Sequence, residues 1–167
     1  MKEIVINNEQ ETMEFGIKLA KQLVPGSVVA LIGDLGVGKT TLTKAIAKGL
    51  GIHSMVTSPT FTIIQEYKEG RLPLYHFDVY RIMDEEEMYE LGYEEYFFGD
   101  GVCVVEWADQ IEGLLPEDVI RIHIEYGVEE NQRIYKFESS GPVLLTFDYI
   151  ITNGLIFIKS IYGVYLR

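Results

Sequence analysis

Eight residues constrain this chain more than any others: Gly33-Asp34-Leu35-Gly36-Val37-Gly38-Lys39-Thr40, with Thr41 just after. They fit G-x-x-x-x-G-K-[ST], the spacing of a phosphate-binding loop. Glycines let backbone N–H groups approach phosphate oxygens because no Cβ stands in the way. The flanks agree. Residues 28–32 are wholly apolar, as expected of a strand buried on both faces. Residues 41–50 read as a helix, with Leu42, Ile46 and Leu50 at steps of four and Gly49 and Gly51 as its stop. In such a unit Gly33 to Thr41 cradle phosphates at a helix N-terminus, Lys39 meets the β- and γ-phosphates, and the Thr40 hydroxyl is a ligand of Mg²⁺. The bland alternative, a glycine-rich turn without a ligand, leaves the strand–loop–helix register unexplained.

The remaining segments predict an α/β architecture: a central, mostly parallel sheet flanked by helices, with antiparallel additions. Residues 3–6 read as a strand. Asn7 or Asn8 can cap the helix that follows, whose apolar face is expected at Met13, Ile17, Ala20 and Val24, with Pro25-Gly26 as its end. The stretch 53–62 carries five hydroxyl side chains and a proline. It is either a plain connector or a segment that senses the γ-phosphate, as in small GTPases. Residues 60–67 and 72–78 are expected to form a hairpin across the turn 68–71. Asp84-Glu85-Glu86-Glu87 opens a helix, where acidic residues complement the dipole. Residues 93–98 are aromatic and acidic and are expected to pack on the core. In Val102-Cys103-Val104-Val105-Glu106-Trp107 four small apolar residues read as a second fully buried strand with the Glu106 carboxylate at its C-terminal end, at the sheet edge where open α/β folds bind ligands. Residues 119–126 and 133–139 are expected to be antiparallel strands.

The 167 residues suit one domain, read as a core over 1–140 and an apolar extension over 141–167, strand-like and packed on it. No stretch approaches the ~18 apolar residues of a membrane span, and residues 1–8 lack a signal-peptide core. The single cysteine, Cys103, suits a reducing cytoplasm. A net charge of −12 argues against direct nucleic-acid binding and favours docking onto a basic protein surface.

The phosphate loop, the hydroxyl-rich Val56-Thr57-Ser58-Pro59-Thr60-Phe61, His76-Phe77-Asp78-Val79-Tyr80-Arg81 and Glu106-Trp107 follow one another in that order. This series resembles the TsaE (YjeE) family over about residues 3–139. The resemblance implies a P-loop core, Mg-ATP hydrolysis and a cytoplasmic role in threonylcarbamoyladenosine (t6A37) modification of tRNA. It implies TsaB and TsaD as partners, with tRNA met only through them. It further implies that Gly33, Asp34, Leu35, Gly36, Val37, Gly38, Lys39, Thr40 and Thr41 bind phosphates and that Thr40 and Glu106 hold Mg²⁺. Asp78 becomes a catalytic acid and Trp107 an aromatic beside the nucleotide. Thr12 is placed near the adenine, and Arg133 near the nucleotide. The tail departs from the family pattern: Gly141-Pro142 and an apolar stretch stand where a polar helix is usual.

Lys39, Asp78 and Glu106 are the candidate catalytic residues. Asp78 and Glu106 could exchange the roles of metal ligand and water-orienting acid, and Asp78 could instead pair with Arg81. His76 reads as a hydrogen-bonded structural histidine, and Trp107 as core or as a wall of the site. The five arginines do not cluster as a kinase lid would require, and none stands out as an arginine finger. The expected activity is therefore slow ATP hydrolysis, stimulated by partners. The alternatives are a small-molecule kinase and a nucleotide-gated binding module that does not hydrolyse.

Overall fold

The strand that feeds the phosphate loop, Val28–Ile32, is covered on both faces, which explains its lack of polar side chains. The structure, a computed structural model, describes residues 2–138. In chain order the strands are β1 (Lys2–Ile6), β2 (Val28–Ile32), β3 (Ile64–Tyr67), β4 (Leu74–Asp78), β5 (Val102–Glu106), β6 (Ile120–Tyr126) and β7 (Arg133–Glu138). They form one seven-stranded sheet in the order β1-β7-β6-β2-β5-β4-β3. The central strands β6, β2, β5 and β4 run parallel. Antiparallel pairs close both edges, β3 on β4 and β7 and β1 beyond β6. This is the expected mixed α/β fold, with a parallel centre and antiparallel additions.

The helices are α1 (Glu9–Ala20), α2 (Lys39–Gly49), α3 (Glu86–Glu90) and α4 (Tyr93–Phe97), and a 3-10 segment spans Ala108–Leu114. Helices α1 and α2 cover one face of the sheet, burying Phe15, Leu19, Leu42 and Ile46 against Val29, Leu31, Val102 and Val104. The opposite face buries Val28, Ala30, Cys103 and Val105 under Met88, Tyr93, Phe97 and Ile111. Period-two alternation thus sends each central strand into two cores. Buried Cys103 behaves as an apolar side chain, its thiol pushed far above the usual range by desolvation.

Three sequence expectations change. Asn8 is the cap of α1, its side chain accepting from the Glu11 amide at 3.0 Å, but the buried face is Thr12, Phe15, Gly16, Leu19 and Ala20. Met13 and Ile17 are only half-buried and Val24 is 60% exposed. The face is rotated because Gly16 lies so close to Ala45 that a Cβ there would collide with it. Strand β3 starts at Ile64 rather than residue 60, since Ile63 has φ of 65° and its amide closes a turn onto the Pro59 carbonyl. The acidic helix opened at Asp84 holds only five residues, Glu86–Glu90. Strand β5 ends at the Glu106 carboxylate as expected, and Trp107 turns out of it with φ of 62°. Residues 93–98 do pack on the core through Tyr93 and Phe97, folded as α4, while Phe98 is 70% exposed. The extension expected over 141–167 lies outside the described residues. Among those described, no helix is long and apolar enough to cross a membrane.

Candidate active site

Strands β2, β4 and β5 run parallel, so the segments leaving them gather at one edge of the sheet. Asp78 and Glu106 are register partners at the ends of β4 and β5, which sets the two acids side by side. Beside them α2 begins at Lys39, preceded by Gly38 in the left-handed region with φ of 113°. Only glycine takes that conformation without strain. The resulting cleft has a volume of ≈ 410 Å³ and is lined by Leu35, Gly36, Gly38, Lys39, Thr40, Thr41, Ser58, Thr60, Asp78, Tyr80, Glu106 and Trp107.

Glu106 is 2% exposed and hydrogen-bonded on both oxygens. Oε1 accepts from His76 Nε2 at 2.7 Å and from Thr43 Oγ1 at 3.3 Å. Oε2 accepts from Thr40 Oγ1 at 3.0 Å. His76 is fully buried and its Nδ1 has no partner among the described residues; its Nε2 is the donor to the carboxylate, which can only accept. His76 and Thr43 thereby fix the carboxylate and turn Oε2 toward Thr40.

Asp78, 5% exposed, faces the same cleft from β4. Its Oδ2 accepts from Ser58 Oγ at 2.6 Å and from Thr60 Oγ1 at 3.5 Å, and its Oδ1 accepts from the Tyr80 amide at 3.1 Å. The expected alternative, an ion pair with Arg81, does not form; that guanidinium lies over the Phe61 ring at 4.7 Å. Asp78 instead ties the hydroxyl-rich loop to the sheet.

Lys39 lies between the acids and the loop. Its Nζ donates to the Gly33 carbonyl at 2.5 Å and the Asp34 carbonyl at 2.9 Å, and sits 3.7 Å from the centre of the Trp107 ring. Burial lowers its pKa, while Glu106, Asp78, Asp109 and Asp34 pull the other way. Trp107, half-buried, stacks obliquely on Tyr80 with centroids 4.7 Å apart, so it is a wall of the cleft.

The other expected site residues lie across the phosphate loop. A second cleft of ≈ 210 Å³ is lined by Asn8, Glu9, Thr12, Gly36, Val37, Gly38, Thr41, Asn131, Arg133 and Tyr135. Thr12 meets the Tyr135 hydroxyl at 3.3 Å there. Gly36, Gly38 and Thr41 border both clefts, so one elongated ligand could run across the loop from one to the other. Gly33 and Asp34 line neither and serve through their carbonyls.

A magnesium ion fits the oxygen pair of Thr40 and Glu106. Both are hard donors, and Oε2 is the carboxylate oxygen left to the cleft side. No cluster of three or more His, Cys, Asp or Glu able to hold a metal occurs among the described residues. Sequence reasoning named Ser58 and Tyr80 only as parts of their motifs and Asn8 only as a helix cap, and it did not single out Thr43 or Asn131. Thr43 did have a signal, lying one helical turn beyond Lys39 on the same face.

The matching family model is "Threonylcarbamoyl adenosine biosynthesis protein TsaE", over residues 6–134. The chain belongs to the TsaE family. It is 52% identical over 127 residues to the tRNA threonylcarbamoyladenosine biosynthesis protein TsaE of Bacillus subtilis, covering 76% of this chain and 79% of that one. To the TsaE protein of Treponema pallidum it is 42% identical over 130 residues, covering 78% and 96%. Among solved structures, Bacillus subtilis YdiB is similar with a TM-score of 0.77 and 40% identity, covering 91% of this chain and 97% of that one. As a TsaE family protein, the chain is involved in tRNA threonylcarbamoyladenosine biosynthesis.

Proposed function

We propose that this TsaE family protein is a cytoplasmic, Mg-dependent ATPase that acts with TsaB and TsaD in t6A37 modification and meets tRNA only through those partners. The observation that carries the reading is the pairing of Thr40 Oγ1 with Glu106 Oε2 at 3.0 Å, beside the buried ammonium of Lys39. A hydroxyl, a carboxylate and a lysine at the mouth of a glycine loop suit a nucleoside triphosphate with its cation.

The residues then divide the work. Lys39 exchanges the carbonyls of Gly33 and Asp34 for phosphate oxygens and neutralises their charge. Thr40 and Glu106 hold Mg²⁺, which when bound neutralises charge developing on the phosphate oxygens. Asp78 orients the attacking water and receives its proton as the oxygen bonds to the γ-phosphorus and the bridging oxygen leaves with ADP. The assignment of the two acids follows from their partners. Glu106 is held by His76 and Thr43, as a fixed ligand should be. Asp78 is held by the Ser58 and Thr60 hydroxyls of the loop before β3, so hydrolysis and loop position are linked through it. Thr12 and Arg133 lie where the base end of the nucleotide would extend.

Among the described residues no arginine lines the larger cleft, and such a guanidinium accelerates many enzymes of this kind by roughly 10³–10⁵. Slow phosphate release from Mg-ATP alone, rising on addition of TsaB, TsaD and tRNA, is the expected result. Bound ATP with no hydrolysis in any mixture would withdraw the roles given to Asp78 and Glu106. Hydrolysis that requires an added small-molecule acceptor would make the protein a kinase.

A further inference from the structure

The loop's backbone carbonyls are held from two sides. Lys39 takes those of Gly33 and Asp34. The next ones are gripped from the sheet. The Tyr126 hydroxyl donates to the Leu35 carbonyl at 3.1 Å, and Arg133 Nε donates to the Val37 carbonyl at 2.8 Å. Tyr126 and Arg133 are register partners on β6 and β7, and the guanidinium lies over the tyrosine ring at 4.6 Å. The Arg133 Nη1 also donates to the carbonyls of Glu130 at 3.0 Å and Gln132 at 2.9 Å, which fixes the fork in place.

Fixing a carbonyl fixes more than an oxygen. In a planar trans peptide the C=O and the following N–H point in opposite directions. Holding the Leu35 carbonyl toward β6 therefore turns the Gly36 N–H away from it. Holding the Val37 carbonyl does the same for the Gly38 N–H. Both glycines border the two clefts, and neither N–H donates to any group among the described residues. Two unused donors on glycines that border the same clefts are what a phosphate oxygen requires.

We propose that Tyr126 and Arg133 form a cross-strand brace that aims the Gly36 and Gly38 amides at the nucleotide phosphates. Both are positioning residues. Tyr126 lines neither cleft and acts only through the Leu35 peptide. Arg133, expected from the family resemblance to lie near the nucleotide, acts through the Val37 peptide. The proposal rests on the nucleotide-site reading above.

The test uses inorganic tripolyphosphate, which carries phosphates and no base, titrated into the full chain. Tyr126→Phe keeps the ring under the guanidinium and removes only the hydroxyl. It should bind tripolyphosphate about fivefold more weakly, as expected for one lost hydrogen bond. Arg133→Met should lose about tenfold or more, and Arg133→Lys, which retains a donor, should recover part of that. In ¹H–¹⁵N spectra the Gly36 and Gly38 amide signals should move on tripolyphosphate binding in the wild type and move less in Tyr126→Phe. A purely structural role would not alter those two signals selectively. Wild-type affinity and unchanged glycine shifts in Tyr126→Phe would overturn the brace. Failure of the wild type itself to bind tripolyphosphate would overturn the nucleotide-site reading, and the brace with it.

Discussion

Lys39 is 5% exposed, and burial holds its pKa below the ordinary 10.5 despite four surrounding carboxylates. The unfolded chain therefore keeps this proton to higher pH than the folded one. Between the two values folded stability rises with pH, because the unfolded state binds more protons. A neutral replacement lacks this contribution. Lys39→Met should abolish stabilisation by Mg-ATP and lower phosphate release by about 10²-fold or more. Its nucleotide-free melting temperature should not fall near pH 7. As pH climbs toward 10.5, the stability difference should shift in the wild type's favour. Thermal melts of both proteins across alkaline pH check the sign; a variant gaining on the wild type with rising pH would refute it. Glu106 could be found from sequence because a carboxylate ending so apolar a strand needs partners. That His76 supplies one of them could not, since cross-strand distances have no signature in a single sequence. That Asp78 lines the cleft was legible from its motif, but its bonds to Ser58 and Thr60 depend on how the preceding loop folds back.

Helices α1 and α2 meet through small residues rather than large ones. A Cβ on Gly16 would collide with the Ala45 side chain, and one on Gly49 would meet Ala20 Cβ at 2.6 Å. Gly16→Ala therefore sets helix propensity against packing. Propensity alone favours alanine by about 1 kcal/mol. Overpacking costs about 1–3 kcal/mol, and because the contact is backbone and Cβ, with no flexible tip to yield, packing should win. Denaturant titration should show a net loss of stability; a gain would mean the helices separate at little cost. The same contact explains why the α1 face was misread. Its centre is a glycine and a threonine, which an apolar count passes over. Strands β2 and β5 were legible to within a residue because burial on both faces leaves an uninterrupted apolar run. The turn before β3 was not, since a positive φ at Ile63 goes against that residue's preference and is imposed by its surroundings.

The chain carries a net charge of −12, and its site lies where three parallel strands end. A molecule of that charge has little electrostatic affinity for a polyanion. Filter binding should detect no retention of tRNA by the protein alone at about 0.15 M salt, and none should appear when salt is lowered toward about 0.05 M. Tight, salt-sensitive tRNA binding by the isolated chain would contradict a role reached only through partners. The order of strands in the sheet has a further consequence, for the chain as it is made. Strand β2, which leads into the phosphate loop, has no sheet neighbour among the residues translated before it; β5 and β6, its two partners, both come later. At about 5–20 residues per second, ribosomal synthesis leaves Val28–Ile32 without its second partner for several seconds. During that interval the strand that positions the phosphate loop is a bare apolar edge on the nascent chain, the segment most in need of shielding from its neighbours.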